Sequence, residues 1–412
     1  MSCPFAPTTA APAASAVVPQ RVPVPAGAPI AAPLPQAYPE QVLDRHRCVE
    51  DPAVVREILR RAEDFVPDNA LTTVVPLAPA TLRRLAAARF SLPAVLASAS
   101  GAAHRTVRRT VARYFSPARV AAQAGPVAGL VRDACAGLRD RLGAGGEADL
   151  AVEVAGVVPP AILEALTGVP NPPHADLKRW SRDSLELFWG WPDAARQLEL
   201  AESAVAFHAW LGGAVDDCLA AGPVPGLPEG RNLFAALAAA GVDRDRIRSL
   251  GYFLVIAGQE TTAMLAQTVL TTALVDGHWA ACADPDGGAA AARDVVGSVL
   301  AQASSVPTWR RVVAVDTAIG GEAFAAGEHL VLRLSGGGLG SGADTSLAFG
   351  FGLHRCLGAG LAEMEAAVIL HECARALPGL AGVDRPDWGH LLSFQAPRTV
   401  RVRAVAGAGV AA

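Results

Sequence analysis

Apolar positions along this chain recur mostly at three- and four-residue spacing, and the elements that spacing predicts are helices almost throughout. DPAVVREILRRAEDF (51–65) opens on Asp-Pro, a helix start; a proline-bounded loop, PDNALTTVVPLAP, separates it from a short helix in ATLRRLAAARF. HRTVRRTVARYFSPARV (104–120) reads as a strongly basic amphipathic helix that stops at Ser-Pro. Further helices are expected over 121–142, in AILEALTGVP, in ADLKRWSRDSLELF and over 195–220, before a Pro/Gly linker at 222–230 and LFAALAAAG. Residues 245–275 form one long apolar helix candidate. Near 312–333 the period drops to two, with Val and Gly turns, so short strands are expected. The stretch SGGGLGSGADTS (335–346) is low in complexity, LAEMEAAVILHECARAL is helical again, and SFQAPRTVRVRAV reads as a terminal hairpin. No internal repeat is evident. The expected fold class is mostly α with small β elements (α+β): a single domain over 37–412 after a flexible Pro/Ala-rich tail, 1–36.

Composition narrows what such a domain can do. A net charge of −4 gives no reason to expect a nucleic-acid partner. Nearly all the basic charge is arginine, Lys178 being the sole lysine. Seven scattered cysteines are an odd number and no disulfide framework, which fits a reducing compartment. Mean hydropathy is positive, +0.30, yet no uninterrupted apolar run reaches ~18 residues. The best candidate, YFLVIAG, is cut by Gln259 and Glu260, and no basic cluster precedes an apolar segment at the start. The expectation is a soluble cytoplasmic protein without a membrane partner.

Two stretches carry chemistry. In Phe349-Gly350-Phe351-Gly352-Leu353-His354-Arg355-Cys356-Leu357-Gly358, a cysteine sits in a glycine-rich loop directly before a helix. Glycines let backbone approach a large flat group, and a helix N-terminus favours a thiolate beside it. The bland alternative is a cysteine acting as a small buried hydrophobe. In GYFLVIAGQETTAMLAQTVL, a polar break, Ala257-Gly258-Gln259-Glu260-Thr261-Thr262, interrupts an apolar helix at a cost of about 1 kcal/mol for the glycine alone. Positions 257, 258, 261 and 262 share a face, where Gly258 leaves room for a flat group against the backbone. A purely local reading is also open: Thr261 bonding back to the Ala257 carbonyl, with Glu260 in solvent.

Together these motifs closely resemble the cysteine-ligand loop and the long distal helix of the cytochrome P-450 family, the haem-thiolate monooxygenases, over about residues 40–405. The resemblance implies haem b (iron protoporphyrin IX) between the central helix and the loop, with Cys356 as the iron ligand. Phe349 then packs near the sulfur, and Gly350, Gly358, Ala257 and Gly258 belong to the haem surroundings. It also implies that Glu260 and Thr261 relay protons to dioxygen, chemistry that needs an acid and a hydroxyl within reach. His104 and Arg108, at i and i+4, match the family's propionate-binding helix. Arg311 matches its propionate arginine, with Arg310 the alternative, and His354 is the remaining propionate partner. Arg105, Arg109 and Arg113 are read as a solvated basic face or a docking surface for an acidic electron donor. Substrate-facing positions placed by the same resemblance are Asn69, Leu71 and Val75, Phe253 and Ile256, Val313, and Phe394.

The chain departs from the family at a Glu-x-x-Arg pair, whose positions fall on Ser298 and Ala301. The family's Asn-Arg-Asp-Pro segment is replaced by the glycine-rich 335–346 stretch. The E-x-x-R string at Glu57–Arg60 lies in the wrong part of the chain. Losing charged partners together is more plausible than stranding one of them in the core. The function expected from the resemblance is a monooxygenase fed by ferredoxin and ferredoxin reductase, hydroxylating or oxidatively coupling a small lipophilic or natural-product molecule. The competing readings are a peroxide-using or non-oxidative haem enzyme, and a catalytically idle binding scaffold of the same shape.

Overall fold

The computed structural model describes residues 38–336, 347–383 and 386–405; the 1–36 tail and most of the glycine-rich stretch lie outside them. The first lobe contains α1 (Glu40–Leu43), β1 (Arg47–Val49), α2 (Pro52–Arg60), β2 (Phe65–Val66) and α3 (Pro79–Ala87). The helical body follows: α4 (Gly101–Tyr114), α5 (Pro117–Ala121), α6 (Ala124–Gly143), β3 (Glu147–Asp149), α7 (Val158–Thr167), α8 (His174–Trp189), α9 (Ala194–Ala220) and α10 (Leu233–Ala239). Next come α11 (Arg244–Val255), a π turn (Ile256–Glu260), α12 (Thr261–Val275), α13 (Trp279–Ala283) and α14 (Gly288–Ala303). The chain then forms β4 (Thr308–Val313), β5 (Thr317–Ile319), β6 (Glu322–Phe324), β7 (His329–Arg333), α15 (Ala359–Ala376), β8 (Leu380–Gly382), β9 (Trp388–His390), β10 (Gln395–Pro397) and β11 (Arg401–Ala404). This is the mostly helical α+β architecture that the periodicity predicts.

Local chemistry explains most boundaries. Asp51 caps α2, its Oδ1 accepting from the Ala53 and Val54 amides. That helix ends at Arg60, short of the predicted 65, because Phe65 and Val66 pair with β4 instead. The Ser-Pro break separates α4 from α5, with Pro117 opening the second helix where its missing N–H costs nothing. The predicted terminal hairpin is not formed. β10 pairs with β9, whereas β11 lies between β3 and β8, so the two halves of SFQAPRTVRVRAV belong to different sheets. The Val400 amide donates to Asp149 Oδ1, tying the second half to a strand some 250 residues earlier.

The core is layered around α12 and α15. Leu265, Val269 and Leu270 of α12 pack with Leu361, Ile369 and Leu370 of α15, with α6, and with Val295, Val296, Val299 and Leu300 of α14. All six cysteines among the described residues are free; Cys135 and Cys373 meet inside this core with their sulfurs 3.7 Å apart. A second cluster, rich in aromatic rings, joins α8, α9 and α11 to Phe394. The first lobe has a core of its own from Phe65, Val313, Phe324 and Leu332. No described helix is long and apolar enough to cross a membrane.

Glu365 stands out in the main core. It is 1% exposed, and neither carboxylate oxygen has a hydrogen-bond partner among the described residues. Burial pushes its pKa well above the usual carboxylate range. Folded protein therefore holds this proton to higher pH than unfolded chain, so stability falls as pH rises above the ordinary glutamate value. Glu365→Gln is expected to raise stability by roughly 1–3 kcal/mol at pH 8, on the scale of an unpartnered buried polar group. In paired thermal melts the gain should vanish near pH 4.

Candidate active site

Cys356 is positioned by backbone. Gly350 and Gly352 take positive φ, +69° and +68°, and a Cβ on Gly352 would lie 2.8 Å from the Leu59 carbonyl oxygen of α2. Only glycine lets the loop press that closely on α2. The Cys356 amide donates to the Phe349 carbonyl at 2.9 Å, closing the loop. Its sulfur accepts from the backbone N–H groups of Gly358 and Ala359, the start of α15, and feels the Arg108 and Arg355 guanidinia. Burial raises the thiol pKa, and those four groups oppose the rise without cancelling it. The side chain nonetheless remains open to solvent, unlike the buried Cys135, Cys218, Cys282 and Cys373. The reading as a small buried hydrophobe does not hold here. Phe349 is partly buried, against the α12–α15 core.

Around the cysteine the structure gathers basic side chains. His104 is 1% exposed, with neither ring nitrogen bonded, and its ring lies 4.9 Å from that of His354. His354 Nε2 bonds the Ala99 carbonyl at 2.8 Å, leaving Nδ1 without a partner. Burial lowers its pKa to about 4, and the neighbouring Arg311, His104 and Arg108 push the same way. Arg311 is 1% exposed; Nη1 donates to the Arg310 carbonyl at 2.8 Å, and Nε has no acceptor. Arg108 donates from Nη2 to the Arg355 carbonyl at 2.7 Å. Burial lowers the pKa of His104, Arg108 and Arg311 alike, and no carboxylate contributes to any of them. Two buried bases, His104 and Arg311, and two partly buried ones, Arg108 and His354, without an acid among them form a site for a ligand's anionic groups. The two propionates of a haem, with a thiolate beside them, fit this set.

The helical break is a π turn. Between α11 and α12, Ile256–Glu260 adopts π geometry, a form that concentrates at functional sites. Within it the Thr261 hydroxyl donates to the Ala257 carbonyl at 2.7 Å, the local bond that the sequence leaves open. Its lone pairs stay free to accept. Glu260 is not in solvent: it is 5% exposed and ion-paired with Lys178 of α8. Gln259, also buried, donates to Ser181 at 3.3 Å. Gly258 has a different use from the expected one. A Cβ there would meet Leu163 of α7 at 3.1 Å, so its missing side chain serves helix packing and does not open a face for a flat group.

Lys178 is the residue that sequence reading passes over. Being the sole lysine is the signal it carries, since arginine fills nearly every other basic position. Its place at i−3 from Ser181 puts both on the α8 face that meets the π turn. His174, one turn earlier, feels the Lys178 and Glu260 charges as well. A chain of titratable groups therefore links the start of α8 to Glu260.

Of the substrate-facing positions, Leu71, Phe253 and Ile256 line one narrow cavity of about 10 Å³, together with Leu92, Phe188, Trp189, Ser249 and Tyr252. Phe394 backs it, packed edge-on against Trp189 at 4.9 Å. Three others do not reach it. Asn69 is spent on structure, its Nδ2 donating to the Arg311 carbonyl at 3.1 Å and lying 3.3 Å from His329. Val75 packs with Val42, Val331 and Leu392 in a separate small cluster. Val313 is in the first-lobe core with Phe65 and Phe324, because β4 turns it towards β2. Ser298 is exposed on α14, and the Ala301 carbonyl accepts from the Gly336 amide at 3.0 Å. Glu57 and Arg60 form an exposed i,i+3 surface pair at 2.6 Å, consistent with a chance string.

No family model matches the chain. Among curated proteins it is 31% identical to cytochrome P-450 105A3 of Streptomyces carbophilus over 324 residues, 73% of each chain. It is 29% identical to pentalenic acid synthase of Streptomyces avermitilis, covering 77% of this chain and 79% of that one. Among solved structures, cytochrome P-450 CREJ in complex with (4-ethylphenyl) dihydrogen phosphate superposes with a TM-score of 0.78 at 25% identity, over 89% of this chain and 93% of that one. The CYP116B5 heme domain of Acinetobacter radioresistens shares the fold, with a TM-score of 0.78 at 23% identity over 88% and 90%. With an open cysteine loop beside four bases that have no acid among them, and kinship at this level along nearly three quarters of its length, the chain belongs to the cytochrome P-450 family of oxidoreductases, whose cofactor is haem b.

Proposed function

We propose that this protein is a haem-thiolate monooxygenase that uses dioxygen and two electrons, delivered by a ferredoxin and its reductase, to hydroxylate or oxidatively couple a small lipophilic molecule. The observation that carries the reading is the pairing of an accessible thiol, bonded by two backbone N–H groups, with four buried or partly buried bases that have no acid among them. Cys356 Sγ would ligate the iron; His104, Arg108, Arg311 and His354 would receive the propionates, with Phe349, Gly350, Gly358 and Ala257 around the ring, while Gly258 serves the packing against Leu163. When bound, the haem supplies the iron at which dioxygen is reduced and one oxygen atom passes to the substrate.

The protein's own part is proton supply and exclusion of water. Lys178 pairs with Glu260 in a setting where an unpaired charge would be costly. Released from that pair, Glu260 takes up a proton and passes it towards the Thr261 hydroxyl. The Thr261 hydroxyl spends its one hydrogen on the Ala257 carbonyl and presents its lone pairs, so it accepts the incoming proton and passes on its own as that bond breaks. Leu71, Phe253 and Ile256 keep the substrate side apolar. The relatives support this breadth: one is named for synthesis of pentalenic acid, others for hydroxylation of methyl-branched lipids.

Isotopically labelled dioxygen separates the readings. Supplied with ferredoxin, reductase and NADPH, the enzyme should place one labelled atom in its product. Label arriving only from peroxide would favour a peroxygenase, and no oxidation with haem bound would favour an idle scaffold.

A further inference from the structure

The seam between α6 and α15 holds two thiols that the haem reading does not use. Cys135 lies in the body of α6 and Cys373 in the last turn of α15; both are fully buried. Their sulfurs are 3.7 Å apart and share a hydrogen bond, although the two residues are 238 positions apart in the chain. Val131 and Leu138 flank the first on its helix, Ile369 and Leu370 the second. A buried cysteine alone is a small apolar filler. Two that meet sulfur to sulfur have a further use, because closing by about 1.7 Å brings them to the ~2.05 Å of a disulfide.

The pair is chemically uneven. Its shared hydrogen bond lowers the Cys135 pKa against the opposing effect of burial, and Arg139, one turn on, lowers it as well. The same bond, together with burial, holds Cys373 well above the ordinary thiol range. Cys135 is therefore the sulfur that ionises first and attacks. The seam is also shallow here. Arg132, one turn before Cys135, reaches Glu372, the neighbour of Cys373, at 3.5 Å, and the Arg132 side chain is 57% exposed. Cys373 is close to the end of α15, at Ala376, and a terminal turn is where a helix opens most easily.

We infer that Cys135 and Cys373 form an oxidative modification site, which hydrogen peroxide closes to a reversible disulfide stapling α15 to α6. Opening of the last turn of α15, with release of the Arg132–Glu372 pair, admits the peroxide. The Cys135 thiolate attacks one peroxide oxygen, the O–O bond breaks, and the departing hydroxide takes a proton and leaves as water, with Cys135 now a sulfenic acid. The Cys373 sulfur then attacks Cys135, the S–O bond breaks, and a second water leaves. Two thiols and one peroxide thus give one disulfide and two waters, and a dithiol reductant reverses the step by exchange. The staple closes a very long loop and so restrains the unfolded chain. It also anchors the helix whose first amides bond the Cys356 sulfur. The site neither needs nor tests the monooxygenase reading.

The test is a non-reducing peptide map of the haem-loaded, full-length protein before and after exposure to hydrogen peroxide. One cross-link, Cys135 to Cys373, should appear with the loss of two hydrogen atoms. Two of the seven thiols should escape alkylation after unfolding, and dithiothreitol should restore them. Cys135→Ala and Cys373→Ala should each abolish the cross-link, with helical circular dichroism checking that both variants fold. In Cys373→Ala, Cys135 should stop at a sulfenic acid that dimedone captures. A second readout is thermal: the cross-linked parent should melt several degrees above its reduced form, and neither variant should gain on oxidation. The inference is overturned if peroxide leaves both thiols free, if it links other cysteines instead, or if it carries Cys135 to the sulfinic acid without a cross-link. It is also overturned if the cross-linked protein melts no higher than the reduced.

Discussion

Cys356→Ser is expected to abolish substrate oxidation while leaving the fold in place. Its effect should exceed the 10–100-fold cost typical of losing a group that merely supports a metal ligand. An alcohol does not ionise near neutrality, so serine offers the metal no counterpart to a thiolate, and electron density from that side of the iron is lost. The loop itself does not depend on the sulfur. It is closed by the Cys356 amide on the Phe349 carbonyl and pressed onto α2 at Gly352, contacts that serine retains. Helical circular dichroism and haem-to-protein ratio should thus change much less than turnover. Turnover within a few-fold of the parent would remove Cys356 from the chemistry.

Glu260→Gln is the second large effect. General acid–base groups contribute about 10²–10⁴-fold, and the neutral amide cannot carry a proton. Product formation should fall by that order, while NADPH consumption falls less, because electrons still arrive without protons to direct them. Lys178→Met should act differently. The acid remains but loses the ionic partner that holds it against α8. The rate should then fall, but by less than in Glu260→Gln. Equal product yield per electron in Glu260→Gln and parent would count against the relay. So would a Lys178→Met rate equal to the parent's.

The contrast between these two residues shows what the chain reveals in one dimension. Glu260 and Thr261 are legible because a polar break in a 3.6-period apolar helix costs stability and calls for a reason. The long helix itself is legible from that period, and the structure adds only its π geometry. Lys178 is 82 residues away on another helix, and nothing local marks it except its rarity. Strand partners are hidden for the same reason. Alternation identifies SFQAPRTVRVRAV as extended, but whether its halves pair with each other or with β9 and β3 depends on segments elsewhere.

Burial has two forms that periodicity does not separate. Val75, Val313 and Leu71 are all apolar residues at buried or half-buried places, yet they belong to three different packing environments, and only Leu71 borders the cavity. Asn69 is the reverse case, a polar residue whose hydrogen bonds serve β4 and His329. The Arg310–Arg311 pair divides by strand alternation once β4 is located, though which face meets the cysteine loop needs three dimensions. Family motifs carried the haem set furthest. His104, Arg108, Arg311 and His354 come from three separate segments and converge with the cysteine.

The most direct measurement is the absorption spectrum of the purified protein, reduced and then exposed to carbon monoxide. A Soret band at the long wavelength particular to thiolate-ligated haem, missing in Cys356→Ser, is the predicted result. A band at the position given by histidine ligation, or protein that takes up no haem at all, would contradict the account.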